Sequence, residues 1–308
     1  MDRNDSTADV IVVGAGPAGL TAALYLGRYH RRVVVLHDGT SRALRIPETH
    51  NAPGFPDGVA GKDLVARMMR HAETYRAEMV EARVTNVARD GREFTVSAGD
   101  RIWKARAVIL ATGVSINQIE MPQEQHEQAI ADGVLRYCPV CDGYEGTGRA
   151  LGVIGCDSSG AAEALFLRQF SDRIVLMPLR HSELPADEQR QLDEAGIIVT
   201  HGALDRLEPN PETMVVHLEI GGRVEVDVLY PALGMTPRSD IVRGLGVEIN
   251  DAGCLGENTP FGSKTPGFYA AGDVVEGLDQ ISVACGHGAV AATRAHNWLR
   301  DQDNETLD

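Results

Sequence analysis

Val10-Ile11-Val12-Val13-Gly14-Ala15-Gly16-Pro17-Ala18-Gly19 runs from four apolar residues straight into a G-x-G-x-x-G turn. Leu20 to Tyr29 then carries the apolar spacing of a helix, Val33-Val34-Val35-Leu36 reads as a second strand, and Asp38 stands just past its end. Each glycine has a mechanical reason in such a βαβ unit. Gly14 permits the tight turn, Gly16 lets backbone approach a pyrophosphate, and Gly19 lets the helix lie close on the strand. The helix N-terminus, with Ala18 in its first turn, offers free N–H groups and a positive dipole end to phosphate. Asp38 is placed to accept hydrogen bonds from ribose hydroxyls. A glycine turn alone says little, but strand, turn, helix, strand and acid in this order predict a dinucleotide-binding unit.

The pattern recurs. Gly152-Val153-Ile154-Gly155 enters a second turn, Ser158 to Phe170 reads as a helix, and Arg173-Ile174-Val175-Leu176-Met177 as the next strand. After each unit come alternating segments that predict antiparallel strands. These are Glu81 to Val87, Glu93 to Ala98 and Arg101 to Ile109 in the first, and Leu204 to Leu207, Thr213 to Ile220 and Val224 to Leu229 in the second. Thr265 to Asp273 is a strand ending in a Gly-Asp turn, and Ile281 to Leu299 a long terminal helix. Gly272-Asp273 reads as a second anchor for the first unit's ligand, so the first domain is expected to be discontinuous. The expected fold is α/β, with two dinucleotide-binding, Rossmann-like, three-layer domains, each carrying an antiparallel β insertion. Residues 1–115 with 236–308 form the first and 116–235 the second, in keeping with a 308-residue chain, long enough for about two domains.

Directly before the second unit stands Tyr137-Cys138-Pro139-Val140-Cys141-Asp142-Gly143. Two thiols at that spacing can close a small disulfide ring, and the adjacent carboxylate can supply or accept the proton that thiol chemistry needs. Zinc would require four ligands, and Cys156, Cys254 and Cys285 are isolated, so no metal is expected. Cys156 and Cys285 read as small buried hydrophobes. The acidic N-terminus lacks the features of a signal peptide, which points to the cytoplasm, and no apolar run reaches membrane-spanning length. The formal charge of -15 argues against nucleic-acid binding.

Five pieces taken together resemble the low-molecular-weight thioredoxin reductases over nearly the whole chain. They are the first glycine turn, Asn51-Ala52-Pro53-Gly54, Ala111-Thr112-Gly113, the Cys-x-x-Cys-Asp-Gly stretch and Ala270-Ala271-Gly272-Asp273. The resemblance implies FAD in the first domain, held by the glycine turn, Asn51, Thr112, Gly113 and Gly272, with Asp273 on the ribityl chain and Gln280 and Ile281 near the flavin. It further implies that Cys141 faces the flavin, that Cys138 attacks the substrate disulfide, that Asp142 is the acid or base, and that the protein is a homodimer.

The second domain departs from that family. Its turn reads Gly155-Cys156-Asp157-Ser158-Ser159-Gly160, with a carboxylate at the glycine that should admit pyrophosphate. At ~4 Å and an effective dielectric near 20, each like-charge pair costs on the order of 4 kcal/mol. Of the basic cluster that reads a 2′-phosphate, Arg180 and His181 remain, and Asp279-Gln280-Ile281 stands where the family has Arg-Gln-Ala. These changes put NADPH or NADH binding in question. They favour electrons entering from a small-molecule dithiol or a thioredoxin-like protein and leaving through FAD to oxygen or another acceptor, as in the family's dithiol oxidases. The alternatives are an NADPH-dependent reductase with an altered nicotinamide site, and a non-catalytic FAD-binding redox sensor. His50 and His287 are further candidates, as a base for substrate thiols and as a neighbour of the cofactor.

Overall fold

The computed structural model describes residues 7–155, 157–180 and 184–305. Cys156 and His181 lie outside the described residues. The chain divides into two compact units: Met1–Glu48, Ala52–Ser115 and Thr236–Asp308 form one, and Thr49–Asn51 with Ile116–Met235 the other.

The first unit begins β1 (Ala8–Val13), α1 (Pro17–Arg28), β2 (Val33–His37), α2 (Gly61–Thr74), β3 (Glu78–Glu81), β4 (Asn86–Asp90), β5 (Glu93–Ala98) and β6 (Arg101–Leu110), and leaves through β7 (Val114–Ile116). The second contains α3 (Gln123–Ala131), the single turn α4 (Pro139–Asp142), β8 (Leu151–Ile154), α5 (Ser158–Leu167), β9 (Ile174–Met177), α6 (Ala186–Glu194) and β10 (Ile198–Val199). It continues with β11 (Leu204–Pro209), β12 (Met214–Leu218), β13 (Arg223–Val226) and β14 (Val228–Pro231). The chain returns through β15 (Met235–Pro237), which pairs with β7, and finishes with β16 (Phe268–Ala270) and α7 (Ile281–Gln302).

In the first unit the sheet runs β3-β2-β1-β6-β5-β4, with β16 also on β6. The ten-residue β6 serves two partners along one edge. Ala98↔Arg101 to Phe94↔Ala105 pair it antiparallel with β5, and Phe268↔Val108 to Ala270↔Leu110 pair it parallel with β16. The apolar runs of β1 and β2 follow from burial on both faces. Val10, Val12, Val33 and Val35 face a core with α1, α2 and α7, while Ile11, Val13, Val34 and Leu36 face another with Val87, Phe94, Val96 and Val242. The expected antiparallel strand Glu81–Val87 is corrected: Glu78–Glu81 closes the parallel sheet beside β2, and pairing resumes at Asn86 against β5. Alternation of side chains is the same in both strand types, so the pattern alone did not separate them.

The second unit repeats the plan. Its sheet β10-β9-β8-β14 is parallel throughout, and β11-β12-β13 form an antiparallel layer. Leu151 and Val153 pack with α5 and α6, and Ile154 and Met177 with Met214 and Val216 of β12. The polar stretch from Gln118 to Asp132 contains α3, which buries His126 and Ala129.

Candidate active site

In the first unit the glycine turn, the loops after β2 and β6, and the start of α7 enclose a cavity of about 750 Å³. Gly14 is held at φ +114°, and a Cβ there would lie 2.2 Å from the Ala111 carbonyl oxygen. A Cβ on Gly19 would lie 1.9 Å from the Gly14 carbonyl oxygen, so helix and strand meet at glycine contact as the motif requires. Gly16 is the N-cap of α1 and has no side-chain cap, Pro17 occupies the first turn, and no acid lies there. The helix therefore presents unfilled N–H groups to the cavity.

Asp38 lines the same cavity. Burial pushes its carboxyl up, but hydrogen bonds from the Thr40 hydroxyl and N–H, with the charges of Arg238 and Arg83, outweigh it and hold the group below the usual range. It stays an ionised acceptor. Thr112 and Gly113, also on the cavity, tie down the returning chain: the Thr112 hydroxyl donates to the Arg238 carbonyl at 2.7 Å, and Arg238 N–H donates to that of Gly113 at 2.9 Å. On the far wall stand Gly272, Asp273, Gln280 and Ile281. Burial raises the Asp273 carboxyl against the opposing charges of Arg42 and His287, and Asp279 is pushed up to about 6 by burial and by Asp273. Arg42 bridges these acids, 3.5 Å from Asp273 Oδ2 and 3.9 Å from Asp279 Oδ2.

Of the expected cofactor residues, Gly19 and Asn51 are not on the cavity wall. Gly19 does its work in helix packing. Asn51 groups with the second unit, where its amide donates a long 3.5 Å bond to the Val140 carbonyl. Arg42 and Arg238 carried no motif; a signal lay in the need for cations beside Asp38, Asp273 and Asp279. Gly288, beside His287, serves helix packing, since a Cβ there would lie 2.2 Å from the Ala18 carbonyl oxygen. Cys285 is partly exposed rather than a buried hydrophobe, and burial raises its thiol.

In the second unit Cys138 and Cys141 are joined in a disulfide across α4. Cys138 is the N-cap of that turn, and its carbonyl accepts from Cys141 N–H at 2.9 Å. Gly143 closes the turn where a Cβ would lie 2.6 Å from the Pro139 carbonyl oxygen and 2.7 Å from the Phe170 ring. Asp142 sits with its Oδ2 3.5 Å from Arg136 Nε, its side chain 21% exposed. Burial raises its carboxyl to about 6, partly offset by Arg136 and Tyr230. His50, in the same unit, places Nδ1 3.3 Å from Glu145 Oε1.

The second glycine turn keeps two of its three mechanical positions. Gly155 lies at φ +141°, and a Cβ on Gly160 would fall 1.7 Å from the Gly155 carbonyl oxygen. At the middle position Asp157 is the N-cap of α5, its Oδ1 accepting from Gly160 N–H at 3.0 Å. Glu163, on the same helix, is pushed up to about 7 by burial and by Asp157. Arg180, beyond β9, is exposed.

Two sheets with parallel βαβ units and glycine turns, a cavity built for a dinucleotide and a disulfide beside a partly buried carboxyl define a flavin-type disulfide oxidoreductase. Residues 8–288 match the pyridine nucleotide-disulphide oxidoreductases. A thioredoxin reductase of Mycolicibacterium smegmatis is 32% identical, covering 98% of this chain and all of its own. The crystal structure of HlmI, 30% identical, superposes with a TM-score of 0.89 over 98% of this chain and 95% of that one. That of thioredoxin reductase from Streptococcus pyogenes, 24% identical, shares the fold with a TM-score of 0.89 over 97% and 100%. The chain belongs to the pyridine nucleotide-disulphide oxidoreductase family, as a thioredoxin reductase-like FAD oxidoreductase. The first-unit cavity fits that cofactor: its glycine turn packs so closely on Ala111 that Gly14 admits no Cβ, its helix end is open to phosphate, and Asp38 is ionised.

Proposed function

We propose that this protein is an FAD-dependent thiol–disulfide oxidoreductase that takes electrons from a dithiol through Cys138 and Cys141, with a degenerate nicotinamide site. The observation that carries the reading is the contrast between two helix ends: α1 begins at Gly16 without a side-chain cap, whereas α5 is capped by the carboxylate of Asp157. A helix end already holding an anion of its own repels a phosphate by like charge and has lost a donor to it. In this reading residues 1–115 and 236–308 are the FAD domain and 116–235 carry the dithiol.

Gly14, Gly16 and Ala18 cradle the pyrophosphate, Asp38 holds ribose hydroxyls, and Thr112, Gly113, Gly272, Asp273, Gln280 and Ile281 orient the rest of the cofactor. Ionised Asp142 takes the proton of an incoming substrate thiol as that sulfur bonds to Cys138 Sγ. The Cys138–Cys141 bond breaks, and its electron pair leaves on Cys141 Sγ. The second substrate thiol then attacks the mixed disulfide, its proton goes to the Cys138 sulfur, and the substrate departs as a disulfide. When bound, FAD would supply a two-electron acceptor for the reduced pair, with oxygen or another acceptor as the destination of the electrons. The substrate is a small-molecule dithiol or a thioredoxin-like protein, and the enzyme is a cytoplasmic homodimer.

The second reading, an NADPH-dependent reductase, is favoured by the name of the Mycolicibacterium smegmatis relative. Anaerobic mixing of the flavin-loaded protein with dithiothreitol, NADPH or NADH, followed by flavin absorbance, separates them. Bleaching by dithiothreitol and not by the nicotinamides is expected; rapid bleaching by NADPH would sink the proposal.

A further inference from the structure

Asp142 sits in a closed arrangement of the second unit that the cysteine motif does not foretell. The edge of β14 fixes it from two sides. The Leu229 carbonyl accepts from Arg136 N–H at 2.9 Å, setting the guanidinium beside Asp142 Oδ2, and the next residue, Tyr230, donates its hydroxyl to the Asp142 carbonyl at 3.3 Å. The other carboxyl oxygen, Oδ1, is buried and has no hydrogen-bond partner among the described residues. One oxygen is thus held by a cation, and the other has no donor among the described residues.

We propose that Arg136 is a positioning residue for thiol–disulfide exchange: it holds Asp142 ionised and oriented, and so sets the pH at which the Cys138–Cys141 disulfide opens. The inference rests on Asp142 being the proton acceptor of the proposed function. A guanidinium keeps its charge across the whole working range, so its pull on the carboxylate is constant. Burial opposes it, and the Tyr230 hydroxyl assists it. Among the described residues, the remaining charge that faces Asp142 is Glu145, which raises its pKa and is itself paired with His50. Without Arg136, burial and Glu145 are opposed only by the Tyr230 hydroxyl and Asp142's own backbone N–H among these groups, and the carboxyl keeps its proton to higher pH.

The test follows the rate at which dithiothreitol opens the disulfide in the flavin-loaded protein, scored by alkylation of the freed thiols and mass, from pH 5 to pH 9. The same reductant serves every variant, so its own ionisation cancels. Arg136→Gln is expected to move the rising limb upward by about 1 pH unit, and Arg136→Lys to return most of the shift. An unmoved limb in Arg136→Gln, whatever the change in maximal rate, overturns the proposal. If Arg136→Gln does not fold, Arg136→Met decides it on the same reading: an upward shift supports the proposal, and no shift overturns it. Failure of dithiothreitol to bleach the wild-type flavin would sink the proposed function while leaving these profiles readable, so the two failures are distinguishable.

Discussion

Asp142 combines a useful chemistry with a cost in stability, and the sign of that cost is testable. Its folded pKa of about 6 lies above the ~3.9 of an unfolded aspartate. Between those values the folded state holds more protons than the unfolded, so this group's contribution to stability falls as pH rises. Asp142→Asn is expected to be more stable than wild type at pH 8 by about 1–2 kcal/mol, allowing for a stranded Arg136, with the gain shrinking toward pH 4.5. Disulfide opening by dithiothreitol should slow by about 100-fold. Thermal melts at the two pH values check the first part, and a gain independent of pH would refute the assignment. Gly14 is the opposite case, a residue with no chemistry and no tolerance. Gly14→Ala has to accommodate both φ +114° and a 2.2 Å approach to Ala111, at a cost of more than ~2 kcal/mol. It should purify with a sharply lower ratio of flavin to protein absorbance.

At the scale of elements, α1 and α5, each following a glycine turn, differ at their N-termini. Asp157→Ala removes the cap of α5 and should cost about 1 kcal/mol, whereas Asp157→Gly should cost only a few tenths, because glycine is a tolerable N-cap. If that carboxylate is what excludes pyrophosphate, Asp157→Gly should also raise the rate of anaerobic flavin bleaching by NADPH by about tenfold or more, a gain of roughly 1.4 kcal/mol. An unchanged rate in a folded variant would show that Asp157 is not the barrier. Elements with strong local signals were legible in the sequence: β1, α1, β2, β8 and α5 each follow from an apolar run or a glycine turn. The strand predicted over Glu81–Val87 was misread because period two does not reveal which neighbour a strand pairs with. Helix α3 carries little sequence signal, because its burial rests on His126 and Ala129 in an otherwise polar stretch. Likewise the glycines, the cysteines and Asp273 were visible as short motifs. Arg42, Arg136, Arg238 and Tyr230 were not, since each meets its partner through the fold: Tyr230 reaches Asp142 across 88 positions and Arg238 reaches Thr112 across 126.

At the scale of the molecule, each unit has cores of its own. The clusters around Val10 and Ile11 contain only first-unit residues, and those around Val153 and Ile154 only second-unit residues. All the residues lining the cofactor cavity are also in the first unit, and the disulfide is in the second. Two separate cores are expected to unfold in two calorimetric transitions once the cofactor is removed, since two-state unfolding is the rule for single domains and multidomain chains depart from it. A ligand that binds the native state raises stability by RT ln(1 + [L]/Kd), about 2.7 kcal/mol at a hundredfold excess over Kd. Restoring FAD to the stripped protein at that excess should therefore raise one transition by about 5–10 °C and leave the other in place. Reduction of Cys138–Cys141 should do the reverse, moving the transition that FAD does not. A single transition in the stripped protein, or equal movement of both on adding FAD, would show that the units unfold as one and that the cofactor stabilises the chain as a whole.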